Sequence, residues 1–136
     1  MLILSMMLIG AFHSTVRARE PQERSVWDGV YTQGQAERGA SIASECTRCH
    51  GSGLGGGLEE TPPISGPEFR NSWNGQTLAD LSNKIRSMPP DAGTPDAQGN
   101  VDVIAYLMRI NGFPSGNNEL EADPTALRQI RIREQP

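Results

Sequence analysis

The 136-residue chain is poor in aromatic residues, which make up 5% of it, and its apolar residues amount to only 36%. So low an apolar content limits the size of the core, and a small domain then often depends on a staple or a cofactor. Basic residues are also few: 12 Lys and Arg stand against 16 Asp and Glu, a net charge of −4. Because a nucleic-acid-binding protein needs a basic face, this charge argues against that function.

The sequence also lacks an apolar run long enough to span a bilayer. The stretch from Leu2 to Phe12 is too short for a stable transmembrane helix but has the length of a signal-peptide core. Val16-Arg17-Ala18 then offers residue types that a signal peptidase reads. We therefore predict a signal peptide over residues 1–18 and a periplasmic or secreted protein. If the segment is retained, the alternative is a membrane-anchored protein.

Cysteine is scarce, but its two copies are informative. They lie in Cys46-Thr47-Arg48-Cys49-His50, which has the C-x-x-C-H pattern of c-type haem attachment. On a helical turn the two thiols face one side and can bond to the two vinyl groups of one haem, while His50 projects toward the iron. A redox dithiol has no need of this His, and a zinc site requires four N or S ligands. We predict one covalent haem c with His50 as an iron ligand.

The second iron ligand has few candidates, because the only other histidine, His13, lies in the predicted signal peptide. Methionine pairs with histidine in electron-carrier cytochromes. Once residues 1–18 are removed, Met88 and Met108 remain. Met108 lies on the apolar stripe of a helix, which favours core packing. Met88 precedes Pro89-Pro90 at a helix end and is predicted to bind the metal, a gap-filling role being the alternative.

Glycine and proline divide the chain into elements. Residues 51–67 are so rich in both that we expect an irregular loop wrapped around something, and a polar loop is predicted over 91–99. Capping-box patterns predict two helix starts, and Gly112 and Asp123-Pro124 fit a helix end and a helix start. The predicted helices run from Thr32 into the cysteine motif, from Thr77 to near Ser87, from Val101 to Asn111, and after Pro124.

Over residues 31–112 the sequence resembles the class I (monohaem) c-type cytochromes. The resemblance rests on the cysteine motif, on Pro62-Pro63-Ile64-Ser65-Gly66, on Met88-Pro89-Pro90 and on the last long helix, in that order. It implies an all-α cytochrome c fold, with three core helices and long loops wrapped around one covalently bound haem. The domain would cover residues 31–113, after an N-terminal extension at 19–30 and before a C-terminal tail at 114–136 that packs on it.

The resemblance also implies roles for individual residues. The carbonyl of Pro62 would accept a hydrogen bond from His50, which raises the basicity of such a ligand, and Ile64 would pack on the haem face. Trp73 would donate to a haem propionate, with core packing as the other interpretation. Gly39 and Tyr106 would meet where the first and last helices cross.

These features predict an electron carrier rather than an enzyme. With His50 and Met88 both on the iron, no substrate reaches the metal. The tail from Asp123 to Ile132 resembles that of bacterial cytochromes that accompany quinoprotein dehydrogenases. It suggests such an enzyme as electron donor and an oxidase or another cytochrome as acceptor. The alternatives are a haem enzyme or gas or redox sensor with a displaceable sixth ligand, and a haem-free redox or interaction protein.

Overall fold

The structure, a computed structural model, describes residues 23–57, 60–88 and 94–136. The predicted signal peptide over 1–18 lies outside these residues, as does Pro89-Pro90. The described chain is mostly helical, in agreement with the predicted all-α class. Within these ranges no helix is both long and apolar enough to cross a membrane. The elements are β1 (Arg24–Ser25), α1 (Gln33–Ala43), α2 (Thr47–His50), α3 (Pro67–Trp73), α4 (Leu78–Arg86), α5 (Ala97–Ile110), α6 (Pro124–Arg128) and β2 (Ile130–Arg131).

Helix α1 begins where its sequence predicts and leads into the cysteine motif. The side chain of Thr32 accepts a hydrogen bond from the backbone N–H of Gln35 at 3.2 Å. The expected capping box is only half formed, because the side chain of Gln35 pairs with the backbone of Leu120 instead. A 3₁₀ turn over Ser44–Cys46 joins α1 to α2. The cysteines and His50 therefore lie at the end of one nearly continuous helical segment.

Helix α5 starts earlier than predicted. The polar loop predicted over 91–99 is wrong for residues 97–99, because the side chain of Asp96 accepts the N–H of Gly99 at 2.7 Å and caps a helix from Ala97. The predicted end is confirmed. Gly112 has a φ of 84°, and the N–H groups of Gly112 and Phe113 return to carbonyls in the last turn. This is a Schellman motif.

Helices α1 and α5 cross at the centre of the core. A Cβ placed on Gly39 would lie 1.8 Å from the carbonyl oxygen of Asp102 and 3.0 Å from the Cβ of Tyr106. Only glycine allows two backbones to approach this closely. Gly39 and Tyr106 therefore meet at the crossing, as the resemblance implied. Met108 is fully buried in α5, so its predicted core-packing role is confirmed.

The C-terminal tail packs on the helical domain. Strand β2 pairs in parallel with β1, and Ile132 exchanges backbone hydrogen bonds with Gly75 and Gln76 just before α4. Leu127 and Ile130 are buried, and α6 packs against α4. The two strands were not predicted, because two-residue strands carry no detectable sequence periodicity.

Candidate functional site

His50 is held in one orientation by a backbone carbonyl. The residue is 7% exposed, and its Nδ1 lies 2.7 Å from the carbonyl oxygen of Pro62. A carbonyl oxygen can only accept, so Nδ1 carries a proton, and the neutral tautomer with this proton has its lone pair on Nε2. No hydrogen bond joins Nε2 to another of the described residues. Metal-binding histidines usually have one ring nitrogen hydrogen-bonded and the other on the metal. The His50 ring has this arrangement, with Nδ1 bonded and Nε2 open to a metal.

One cavity brings most of the predicted site residues together. Its volume is about 480 Å³, within the range of cofactor pockets. His50 and Met88 both line it, and so do Pro62, Ile64 and Trp73. The residues predicted as iron ligands and the residues predicted to surround the haem therefore face a common space.

Met88 reaches this cavity from the end of α4. Its backbone N–H bonds to the carbonyl of Ile85 at 3.3 Å, so the turn after Arg86 is still held by the helix. The residue is half-buried and follows Lys84, another cavity-lining residue, by one helical turn. Met88 is thus positioned by α4.

The two cysteines are free thiols on neighbouring positions of the helical segment. Cys46 is half-buried and Cys49 exposed. Burial raises the pKa of the Cys46 thiol, and the negative charge of Glu45 acts in the same direction. A redox-active cysteine has a lowered pKa that favours the thiolate. The environment of Cys46 therefore disfavours the redox-dithiol interpretation.

The glycine-rich loop folds back onto the cysteine motif. A Cβ on Gly57 would lie 1.6 Å from the carbonyl oxygen of Cys49, and one on Gly51 would lie 2.5 Å from that of Gly56. Gly51 also has a φ of 80°, which favours glycine. The N–H of Gly56 bonds to the carbonyl of His50 at 3.1 Å. The glycines thus let the loop turn sharply and bring Pro62 over the His50 ring.

Ile64 and Trp73 contribute apolar surface to the site. Both are partly buried against the core, and the rings of Trp73 and Phe69 lie 6.1 Å apart. No hydrogen bond joins Trp73 Nε1 to another described residue. Both interpretations of Trp73, as a packing residue and as a donor into the cavity, are compatible with this position.

Sequence reasoning missed two groups of residues at the site. The first lines the cavity with polar side chains: Glu68, Asn71, Ser72, Gln76 and Lys84. The spacing of Glu68, Asn71 and Ser72 on one face of α3 could have signalled it, but α3 itself was not predicted. The second is Asn111, which was assigned only as a helix end and whose side chain contacts the loop around Pro62.

Comparison with known proteins adds no relative: no family model, curated protein or solved structure matches this chain. Among the described residues, no group of three or more His, Cys, Asp and Glu side chains could hold a metal ion.

Proposed function

We propose that this protein is a one-electron carrier of cytochrome c fold, with a single haem c bonded to Cys46 and Cys49 and iron ligated by His50 and Met88. One observation carries the proposal: His50 and Met88 line the same cavity, and the carbonyl of Pro62 leaves Nε2 of His50 available to a metal. An imidazole nitrogen with a thioether sulfur is the ligand pair of electron-carrier cytochromes. This donor set supports a haem at the cavity, which is lined by the two proposed iron ligands and not by Cys46 or Cys49.

Each residue then has a definite task. A haem bound in the cavity supplies the one-electron couple of its iron. His50 binds through Nε2, and the Pro62 carbonyl holds its ring and raises its basicity. Met88 would supply the second iron ligand and so keep exogenous ligands off. Ile64 and Trp73 cover the site with apolar surface, which limits the access of water.

The polar side of the cavity suits the two carboxylates of a haem. Lys84, Gln76 and Trp73 all line the cavity. The amide of Gln76 also donates to the carbonyl of Ser72, whereas Trp73 Nε1 has no hydrogen-bond partner among the described residues. Ionised carboxylates need charged or hydrogen-bonding partners when they are partly buried. Lys84 would be the charged partner of the haem propionates, and Trp73 and Gln76 would be their neutral donors.

The proposal implies that the partners are other redox proteins, because both axial positions are filled and electrons must pass through the haem edge. A quinoprotein dehydrogenase as donor, and an oxidase or another cytochrome as acceptor, are the partners that the resemblance of the tail suggests. Export to the periplasm, which depends on residues 1–18, belongs to the same proposal.

Covalent attachment is tested first. The full chain is expressed in a host that attaches c-type haem and is then denatured and weighed by mass spectrometry. We expect the mass of one haem to stay with the chain and to be lost from a Cys46→Ala, Cys49→Ala double variant. A wild-type chain that retains no haem would sink the proposal.

The assignment of Met88 is tested by Met88→Ala, with Met108→Leu as matched control. Met108 is buried in α5 away from the cavity, and its replacement by leucine conserves volume. We expect Met88→Ala to lose the low-spin absorption spectrum and to bind carbon monoxide rapidly when reduced, whereas Met108→Leu keeps the wild-type behaviour. A low-spin, wild-type spectrum in Met88→Ala would remove Met88 from the iron.

A further inference from the structure

Asn111 is a buried polar residue at the end of α5 whose side chain bonds outside its own helix. It is 2% exposed. Its Oδ1 accepts the backbone N–H of Gly66 at 2.9 Å, and its Nδ2 donates to the carbonyl of Ile64 at 3.1 Å. A third bond, from Nδ2 to the carbonyl of Leu107 at 2.8 Å, stays within the helix. Capping α5 therefore explains only one of the three bonds.

The two bonds to Ile64 and Gly66 fix a segment that begins two residues after Pro62. The segment has three other hydrogen bonds. Two stay within the loop, from the N–H of Ile64 to the carbonyl of Leu54 and from the hydroxyl of Ser65 to the carbonyl of Gly53, and the third joins the carbonyl of Gly66 to the N–H of Arg70 in α3. Bonds between two parts of the same loop fix its internal shape. Asn111 connects that shape to the core helix α5 by two side-chain hydrogen bonds, in addition to the packing of Ile64 against the core.

His50 depends on the position of this loop. The carbonyl of Pro62 lies 2.7 Å from Nδ1 of His50, and Asn111 binds Ile64 and Gly66, two and four residues further along the chain. The length of this bond is near the lower end of the normal range for a hydrogen bond. A shift of the loop by a few tenths of an ångström would therefore lengthen the bond rather than shorten it.

We propose that Asn111 is a positioning residue for His50: it holds the loop from Ile64 to Gly66 so that the Pro62 carbonyl keeps its hydrogen bond to Nδ1. The proposal rests on the proposed function where it concerns iron, since a weaker bond to Nδ1 makes the ring a weaker donor through Nε2. Electron donation stabilises the oxidised iron more than the reduced iron. Loss of the Asn111 contacts therefore raises the reduction potential.

The test uses Asn111→Ser, which can keep at most part of the contacts, and Asn111→Leu, which conserves volume and removes all of them. The matched control is Asn100→Ser. Asn100 is equally buried on α5, but it bonds to Ser82 of α4 and has no bond to the loop. Two quantities are measured on the reduced, haem-loaded chain: solvent exchange of the Nδ1 proton of His50 by NMR, and the reduction potential.

For both Asn111 variants we expect the Nδ1 proton to exchange on the order of fivefold faster, the effect of about one net hydrogen bond, and the potential to shift upward. Asn100→Ser should lower thermal stability and leave the exchange rate of the His50 proton unchanged. A folded Asn111 variant with a wild-type exchange rate and potential overturns the inference. So does an equal acceleration of exchange in Asn100→Ser, because the effect would then reflect general loosening.

Failure of the proposed function is recognised separately. It appears as a wild-type chain without covalent haem, whatever the Asn111 variants do. In that case the Nδ1 exchange comparison is made on the haem-free chain, because it requires no iron. Faster exchange in the Asn111 variants still supports the positioning role, and an unchanged rate still overturns it.

Discussion

His50 and Met88, the two proposed iron ligands, are held by different kinds of structure. His50 is held by residues close to it in the sequence. The loop over residues 51–66 follows it directly, and the carbonyl of Pro62 in this loop bonds to its ring. Met88 is fixed from a distance, because it extends from α4, and α4 is braced by the tail. The difference shows that the histidine side is built mostly from residues close to it in the chain, with Asn111 as a long-range tie, whereas the methionine side depends on the distant tail.

The brace on the methionine side lies at the start of α4. Ile132 exchanges backbone hydrogen bonds with Gly75 and Gln76, and Arg131 donates a side-chain bond to the carbonyl of Gly75 at 2.9 Å. Glu23 forms ion pairs with Arg131 and Arg133, so the N-terminal extension and the tail are joined there. Both segments lie outside the predicted cytochrome domain, yet they hold the helix that carries Met88.

Truncation of Ile132, which anchors the tail, should have the largest effect and should separate the methionine side from the histidine side. Ile132 is 1% exposed, so Ile132→Ala leaves a cavity and is expected to cost about 3 kcal/mol of unfolding free energy. Carbon monoxide should bind the reduced variant faster, because Met88 is held less firmly, while the Nδ1 proton of His50 keeps its exchange rate. Denaturant unfolding, ligand binding and NMR measure the three quantities.

The control for this variant is Ile132→Val, which removes one methyl group and should cost about 1 kcal/mol. If Ile132→Ala loosens His50 as much as Met88, the two sides are not held independently and the comparison fails.

The histidine side should respond to a single methyl group on its loop. A Cβ at Gly57 meets the backbone carbonyl of Cys49, which cannot move aside as a side chain can, so Gly57→Ala is expected to cost about 2 kcal/mol. Gly55→Ala is the matched control, since nothing lies within 4 Å of its Cβ, and it should change stability by less than about 0.5 kcal/mol. Equal stability of the two variants in urea would contradict the close approach of this loop to the cysteine motif.

The smallest effect is expected at the ion pair of Arg38 and Asp102, which is part of neither the histidine side nor the methionine side. Asp102 on α5 is buried and receives two hydrogen bonds from Arg38 on α1, at 3.0 and 3.1 Å. Burial alone would raise the pKa of Asp102, but hydrogen bonds from Arg38 and Gln98 outweigh it and hold the pKa below the usual 3.8. The carboxylate therefore stabilises the fold fully above pH 3.8, and this contribution is lost as the pH falls through the lower pKa of the folded state.

Asp102→Asn should accordingly be less stable than the wild-type chain at neutral pH, and the difference should shrink below pH 3.8. Equilibrium unfolding from pH 7 to 2.5 measures it, with Glu121→Gln, an exposed carboxylate, as control. A difference that stays constant over this range would show that the charge of Asp102 contributes nothing.

Helix starts and ends were predictable where a side chain caps its own helix. Thr77 and Asp80 form the full capping box that their spacing predicts, and Gly112 ends α5 as predicted. The pattern at Thr32 and Gln35 was equally clear, but Gln35 bonds to Leu120 across the fold. A capping pattern predicts a possible local hydrogen bond, but one of the two side chains can bond to a distant residue instead.

The residues of the candidate site also differ in whether local sequence or the tertiary fold brings them together. Cys46, Cys49 and His50 were predicted together from the sequence because covalent haem attachment requires a fixed spacing on one helical turn. Met88 and Pro62 could be proposed only as candidates, since their meeting with His50 at one cavity depends on how the loop and α4 fold back.

The sequence alone determined the helical class, the motif at the end of the first helical segment and the elements that glycine and proline separate, because each depends on interactions over a few residues. Only the tertiary structure decided that Asn111 ties the loop near His50 to α5 and that the tail braces α4. Those contacts join residues distant in the chain, and a buried asparagine or a two-residue strand has no local pattern that names its partner.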